Sequence, residues 1–241
     1  MPTDDRPPRE APSTLIALPG TGSDDDYVRR AFGPAAARLG VELIAPAPTA
    51  DLVAGHRRAL DAASDRHRRV LVGGVSIGAA IAVEWALTAG PQRCAGVWAA
   101  LPGWSGSPDG SLAAASARAT AHALADDGLD ATVDAMVASS PGWLADELSR
   151  SWRHLYPALI RQLTDAARYR APELAAIATL RVPLAVVAAT DDPLHPIAVA
   201  RAWCAAAPRS ALREVTLTGW GTDAALLGRS CADGWLALTA R

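Results

Sequence analysis

Val70-Leu71-Val72-Gly73-Gly74-Val75-Ser76-Ile77-Gly78-Ala79-Ala80-Ile81-Ala82-Val83-Glu84-Trp85-Ala86-Leu87 passes from a short β-branched apolar run, through glycines that bracket a lone serine, into an apolar run of helical length. No loop separates the two, so the pattern predicts strand, sharp turn and helix. Within it, Gly74-x-Ser76-x-Gly78 fits the G-x-S-x-G nucleophile elbow. There a strained turn lifts a serine hydroxyl above the sheet edge, and small neighbours let strand and helix approach closely. The helix then faces that hydroxyl with free N–H groups and the positive end of its dipole, which favour negative charge developing there. An ordinary glycine-rich strand-to-helix turn would use the same residues; the buried strand before it and the helix after it favour the elbow.

A chain of 241 residues, 50% hydrophobic and 20% charged, suits one large α/β domain with an insertion, or two small domains, and can bury a proper core. A net charge of -2 gives no reason to expect nucleic acid or an anionic membrane as partner. All 23 cationic side chains are Arg. Cys94, Cys204 and Cys231 are odd in number and widely spaced, which argues against a disulfide framework or a zinc site and for free thiols buried in a reducing, cytoplasmic setting. Residues 1–13 are charged and Pro-rich, read as a disordered tail rather than a leader or anchor. No stretch of about 18 apolar residues predicts a membrane span.

Thr14-Leu15-Ile16-Ala17-Leu18 reads as a strand buried on both faces, followed by a turn at Gly20-Thr21-Gly22-Ser23 and a helix from about Tyr27 to Leu39. Asp24, Asp25 and Asp26 fit capping of that helix better than a metal site. A second strand (41–45) and helix (51–63) precede the central stretch, and a strand at 95–101 follows it. His56 and His67 read as solvated surface histidines. Strands alternating with helices imply a parallel sheet covered on both faces, with ligands at the carboxyl ends of the strands.

From Gly103 to about Leu180 the alternation gives way to helical runs at 112–125, 129–137, 143–148 and 152–169, expected to form a helical lid. Trp104, Trp143, Trp152 and Tyr156 fall in or beside it; with Trp220 they could line a pocket for an apolar acyl or ring group, or pack the lid onto the core. The sheet resumes at 182–189, leads into Thr190-Asp191-Asp192-Pro193-Leu194-His195-Pro196, and continues through a helix to about Ala206 and a last strand at 212–217. Gly219-Trp220-Gly221-Thr222-Asp223 ends that strand before a terminal helix to about Leu238.

This order of elements, from Thr14 onward, resembles the α/β-hydrolase superfamily in a trimmed, six-strand, lidded form. The resemblance implies a core of residues 14–102 and 181–241, a lid of residues 103–180 and a mostly parallel sheet. It implies Ser76 as nucleophile and the backbone N–H groups of Ile77 and Thr21 as oxyanion hole. Asp192 matches the acid after the penultimate strand, with Asp191 one register away. The family's histidine after the last strand has no counterpart: Thr222 stands where it would fall, and no histidine follows His195.

A serine hydroxyl needs a neighbour to take its proton, and imidazole titrates in the useful range. His195, on a loop stiffened by Pro193 and Pro196, His154 from the lid, His122, or a carboxylate such as Asp223 or Asp192 acting through water could substitute. The implied function is a serine hydrolase of carboxylic esters or thioesters on small molecules, working through an acyl-enzyme on Ser76. The missing histidine equally motivates a binding or regulatory protein that has lost turnover, and a lyase could use the same oxyanion hole without acylation. No dinucleotide-binding fingerprint, Walker motif or ligand cluster suggests a cofactor or metal.

Overall fold

The computed structural model describes residues 11–240. Residues 1–10 of the expected tail lie outside the described residues, and Ser13, just before the first strand, accepts the Glu42 N–H on its carbonyl at 2.8 Å.

Six parallel strands form the sheet: β1 (Thr14–Leu18), β2 (Glu42–Ile44), β3 (Val70–Val75), β4 (Cys94–Ala100), β5 (Leu184–Ala189) and β6 (Ser210–Val215), in spatial order β2-β1-β3-β4-β5-β6. The chain starts in β1, steps out to β2, and returns across β1 to build the rest in the other direction. The order therefore reverses between β1 and β3, and the crevice at their carboxyl ends is where such sheets bind ligands. Every residue of β1, β3, β4 and β5 is buried, as expected of strands covered on both faces. Alternate residues still sort to two cores. Ile16, Leu18, Val70, Val72, Val97, Val186 and Ala188 face one; Leu15, Ala17, Leu71, Val75, Trp98, Ala185 and Val187 face the other.

The second core is closed by α1 (Asp25–Arg38) and α11 (Ala225–Thr239), through Tyr27, Val28, Phe32, Leu227 and Cys231. The first is closed by α2 (Leu52–Arg66), α3 (Ile77–Arg93) and α9 (Ile197–Ala206), and by helices from the stretch between β4 and β5. That stretch holds α4 (Leu112–Asp126), α5 (Gly128–Ser139), α6 (Gly142–Leu155), α7 (Ala158–Arg168) and the single turn α8 (Leu174–Ile177). The expected helices at 143–148 and 152–169 are divided differently: α6 runs unbroken to Leu155, and the break falls at Pro157, which has no N–H to continue the ladder.

Asp24 caps α1 by accepting the Tyr27 N–H, and Asp25 and Asp26 pair with Arg29 and Arg30 one turn on, so the three acids are spent on the helix and its ion pairs. Cys94 and Cys231 are buried free thiols and Cys204 is half-buried. Burial pushes Cys94 up to about 12 and Cys204 up to about 11, which keeps both protonated. No helix among the described residues is long and apolar enough to cross a membrane.

Two expectations are corrected. His56 is not solvated: it is 1% exposed on α2, with Nε2 3.3 Å from the Pro19 carbonyl, and burial lowers its pKa to about 4. Apolar Leu52, Leu60 and Ala63 on the same helix mark the face that carries it inward. His67 is half-buried and bonds Thr14 Oγ1 at 3.0 Å. Gly219-Trp220-Gly221-Thr222 does not end a strand as a turn; it is helical, α10 (Leu217–Thr222), capped by Thr216 accepting the Gly219 N–H.

Candidate active site

Ser76 sits between β3 and α3 with φ 54 and ψ -116, a conformation that side chains rarely adopt. The close approach of strand and helix that imposes it needs both flanking glycines. A Cβ on Gly74 would lie 2.5 Å from the Leu18 carbonyl oxygen, and one on Gly78 would lie 2.6 and 2.7 Å from the carbonyl oxygens of Leu18 and Pro19. The serine is anchored by its N–H to the Ala100 carbonyl at 2.9 Å. At the neighbouring carboxyl end of β1, a Cβ on Gly20 would stand 3.6 Å from Ser76 Cβ, so the turn after β1 lies directly against the serine. The Thr21 and Ile77 amides have no hydrogen-bond partner among the described residues.

After β5, the loop brings Asp192 and His195 to the same place. Ser76 Oγ is 2.9 Å from His195 Nε2, and His195 Nδ1 is 2.7 Å from Asp192 Oδ2. A carboxylate only accepts, so Nδ1 carries the proton and Nε2 presents a lone pair to the serine O–H. Asp192 is 8% exposed, and its other oxygen accepts the Leu194 and His195 N–H groups at 2.8 and 3.3 Å. Burial works to raise its pKa, but the bond and charge of His195 and these two amides outweigh it and hold the carboxyl below its usual range. Pro193 and Pro196, which stiffen this loop, lie on either side of Leu194-His195 in a bend that already holds the ring against the serine.

The alternatives lie elsewhere. Asp191, one residue earlier, faces out of the site and accepts the Leu217 N–H at 2.7 Å at the start of α10. Asp223 bonds Arg229 and caps α11 through the Ala225 N–H. His154 and His122 are exposed, and neither bonds Ser76. Thr222 is exposed on α10, its hydroxyl on the Thr218 carbonyl.

A tight crevice at the serine is lined by Ser76, Ile77, Ala80, Gly103 and Trp104. Of the five expected pocket aromatics, Trp104 alone lines it. Its indole N–H donates to the Tyr169 carbonyl at 3.2 Å, which fixes the ring. Trp152 packs on Gly22 instead, and Tyr156 is 38% exposed. Trp143 and Trp220 meet edge to face with centroids 4.9 Å apart, and the Trp220 indole donates to the Tyr27 hydroxyl, so both serve the α1 side of the sheet. Gly103 was not anticipated. A Cβ there would stand 3.5 Å from His195 Cδ2 and 4.0 Å from Ser76 Oγ, so its bareness leaves room above the pair.

The fold is that of the α/β-hydrolases, a six-strand parallel sheet with helices on both faces. No family model and no curated protein matches the sequence. Among solved structures, the chain is similar to Rv0554 from Mycobacterium tuberculosis, at 19% identity and TM-score 0.70 over 95% of this chain and 92% of that one. It is similar to a hydrolase from Oleispira antarctica, at 15% identity and TM-score 0.68 over 86% of this chain and 84% of that one. It is also similar to the putative non-heme bromoperoxidase BpoC from Mycobacterium tuberculosis H37Rv, at 18% identity and TM-score 0.69 over 95% and 94%.

Proposed function

We propose that the chain is a serine hydrolase of carboxylic esters or thioesters on small molecules, acting through an acyl-enzyme on Ser76. His195 is its general base and Asp192 the acid that orients it. The observation that carries this reading is the unbroken run of hydrogen bonds from Ser76 Oγ through His195 to Asp192. It takes away the motive for a catalytically impaired protein, which was the lack of an imidazole near the serine. The name of the Oleispira neighbour is in keeping with it.

In the first step His195 Nε2 takes the serine proton as Oγ attacks the carbonyl carbon, and the imidazolium so formed is stabilised by the Asp192 carboxylate. The oxyanion is met by the free amides of Ile77, on the dipole-bearing end of α3, and Thr21. Collapse expels the alcohol or thiol, which receives the proton from Nε2. Water, deprotonated in turn by Nε2, then releases the acid and restores the serine. The apolar side chains of Ile77, Ala80 and Trp104 beside the serine favour an apolar acyl group or ring, and we assign the helices of residues 103–180 as the lid.

A fluorophosphonate probe should label the wild type and not Ser76→Ala, and His195→Ala should slow labelling and ester turnover by about 10³-fold or more. Labelling that survives in Ser76→Ala would overturn the assignment.

A further inference from the structure

The turn after β1 makes a single backbone bond of its own, from the Ser23 N–H to the Gly20 carbonyl at 3.1 Å. Gly22 within it has φ 73. The local hydrogen bonds at this segment are few, that bond and the Asp24 cap on α1, yet the segment lies against Ser76 and carries the free Thr21 amide. Three consecutive residues of α6 reach across to it from a sequence distance of more than a hundred residues.

Arg150 grips Asp24 with both guanidinium nitrogens, Nη1 on Oδ2 and Nη2 on Oδ1, each at 2.8 Å. Such a two-point fork fixes direction as well as distance. Asp24 is 2% exposed and also caps α1. Burial tends to raise its pKa, but the bonds from Arg150 and the Tyr27 amide hold it below its usual range. Arg150 is itself braced by Glu147 at 2.6 Å, which Arg30 of α1 also binds. Ser151 is fully buried and donates its hydroxyl to the Gly22 carbonyl at 2.7 Å. Trp152 lays its indole flush on Gly22, where a Cβ would come within 2.7 Å of Nε1.

We propose that Arg150 and Ser151 are positioning residues for catalysis: they clamp the segment from Gly20 to Asp24 so that the Thr21 amide is aimed at the oxyanion formed on Ser76. The inference rests on the hydrolase reading. Its physical content is that an oxyanion donor works only within a few tenths of an ångström of its place, and that a displacement of about 1 Å can cost on the order of a hundredfold in rate. Neither side chain touches substrate.

The test compares Ser151→Ala, Arg150→Met and Arg150→Lys with the wild type and with Arg153→Met. Arg153 lies on the same helix but pairs with the distant Asp130. Ester turnover, affinity for a boronic-acid transition-state analogue and thermal midpoint are measured on each folded protein. Ser151→Ala and Arg150→Met should lose about ten- to a hundredfold in kcat with KM little changed, and analogue affinity should fall in step. Arg150→Lys should recover part of the loss, and Arg153→Met should match the wild type. Should Ser151→Ala not fold, the two Arg150 variants decide alone. Variants that melt lower but keep their kcat and analogue affinity would reduce Arg150 and Ser151 to structural roles and overturn the inference while leaving the hydrolase reading intact. A wild type with no Ser76-dependent turnover would overturn both.

Discussion

Acidification from pH 7 to pH 4 should destabilise the protein through His56, starting well above the pH at which its carboxylates protonate. The imidazole is 1% exposed and its pKa is lowered to about 4 by burial, against 6.5 in the unfolded chain. Between those values the unfolded chain binds a proton that the folded one refuses, so stability rises with pH across the window and falls as pH drops through it. Integrating the two titrations gives a loss of about 2 kcal/mol at pH 5 and about 3 kcal/mol at pH 4, levelling off by about pH 3. Asp192 and Asp24, both held below the usual carboxylate range, lose their own contributions only as pH falls below 3.8. Urea midpoints measured at half-unit steps would resolve the slope. His56→Gln can still donate to the Pro19 carbonyl but does not titrate, so its profile should be flat between pH 6.5 and 4.5. Parallel profiles for variant and wild type would refute the reasoning, because the acid sensitivity would then come from elsewhere.

Exchanging the two neighbouring acids should separate their roles: Asp192→Asn should lower kcat/KM by about 10⁴, whereas Asp191→Ala should keep the rate and lose about 1 kcal/mol of stability with the contact to the Leu217 N–H. Gly78→Ala should cost about 1–3 kcal/mol in urea unfolding, since the new methyl would meet two backbone oxygens that cannot yield; an unchanged midpoint would contradict the packing described at Ser76. Thr222→His puts an imidazole where the resemblance to α/β-hydrolases would place one, but on an exposed face of α10, so ester turnover should not rise above the wild type.

The fold was legible because its signals are local. Apolar runs of strand length ended at Gly or Pro, and the Gly-x-Ser-x-Gly bend announced itself where strand met helix without a loop. The chemistry around the bend was less so. Asp192 could be placed by its position after a strand, but whether His195 met Ser76 depended on the path of a loop joined to β5, which no local pattern encodes. His56 was misread because flanking arginines suggested a wet surface, while the apolar residues on the same helix, one turn apart, carried the truer signal. The aromatic residues misled for a related reason: tryptophan marks burial without saying against what, and Trp143 and Trp220 found each other and Tyr27 rather than the crevice. Nothing in the sequence pointed to Arg150 or Ser151, whose partners lie 126 and 129 residues away.

Asp192 and His195 sit three residues apart in a single bend, and the bend's own amides bind the same carboxylate as the imidazole does. The pair therefore travels as one rigid cassette. A shift of β5 or α9 would carry Asp192 and His195 away from the serine together, with their mutual bond intact, so on the proposed reading an NMR signal from that bond should survive when turnover is lost. On the proposed reading the polypeptide beyond β6 need not supply a proton acceptor, and substitutions along α10 should be felt as changes in folding long before they are felt as changes in rate.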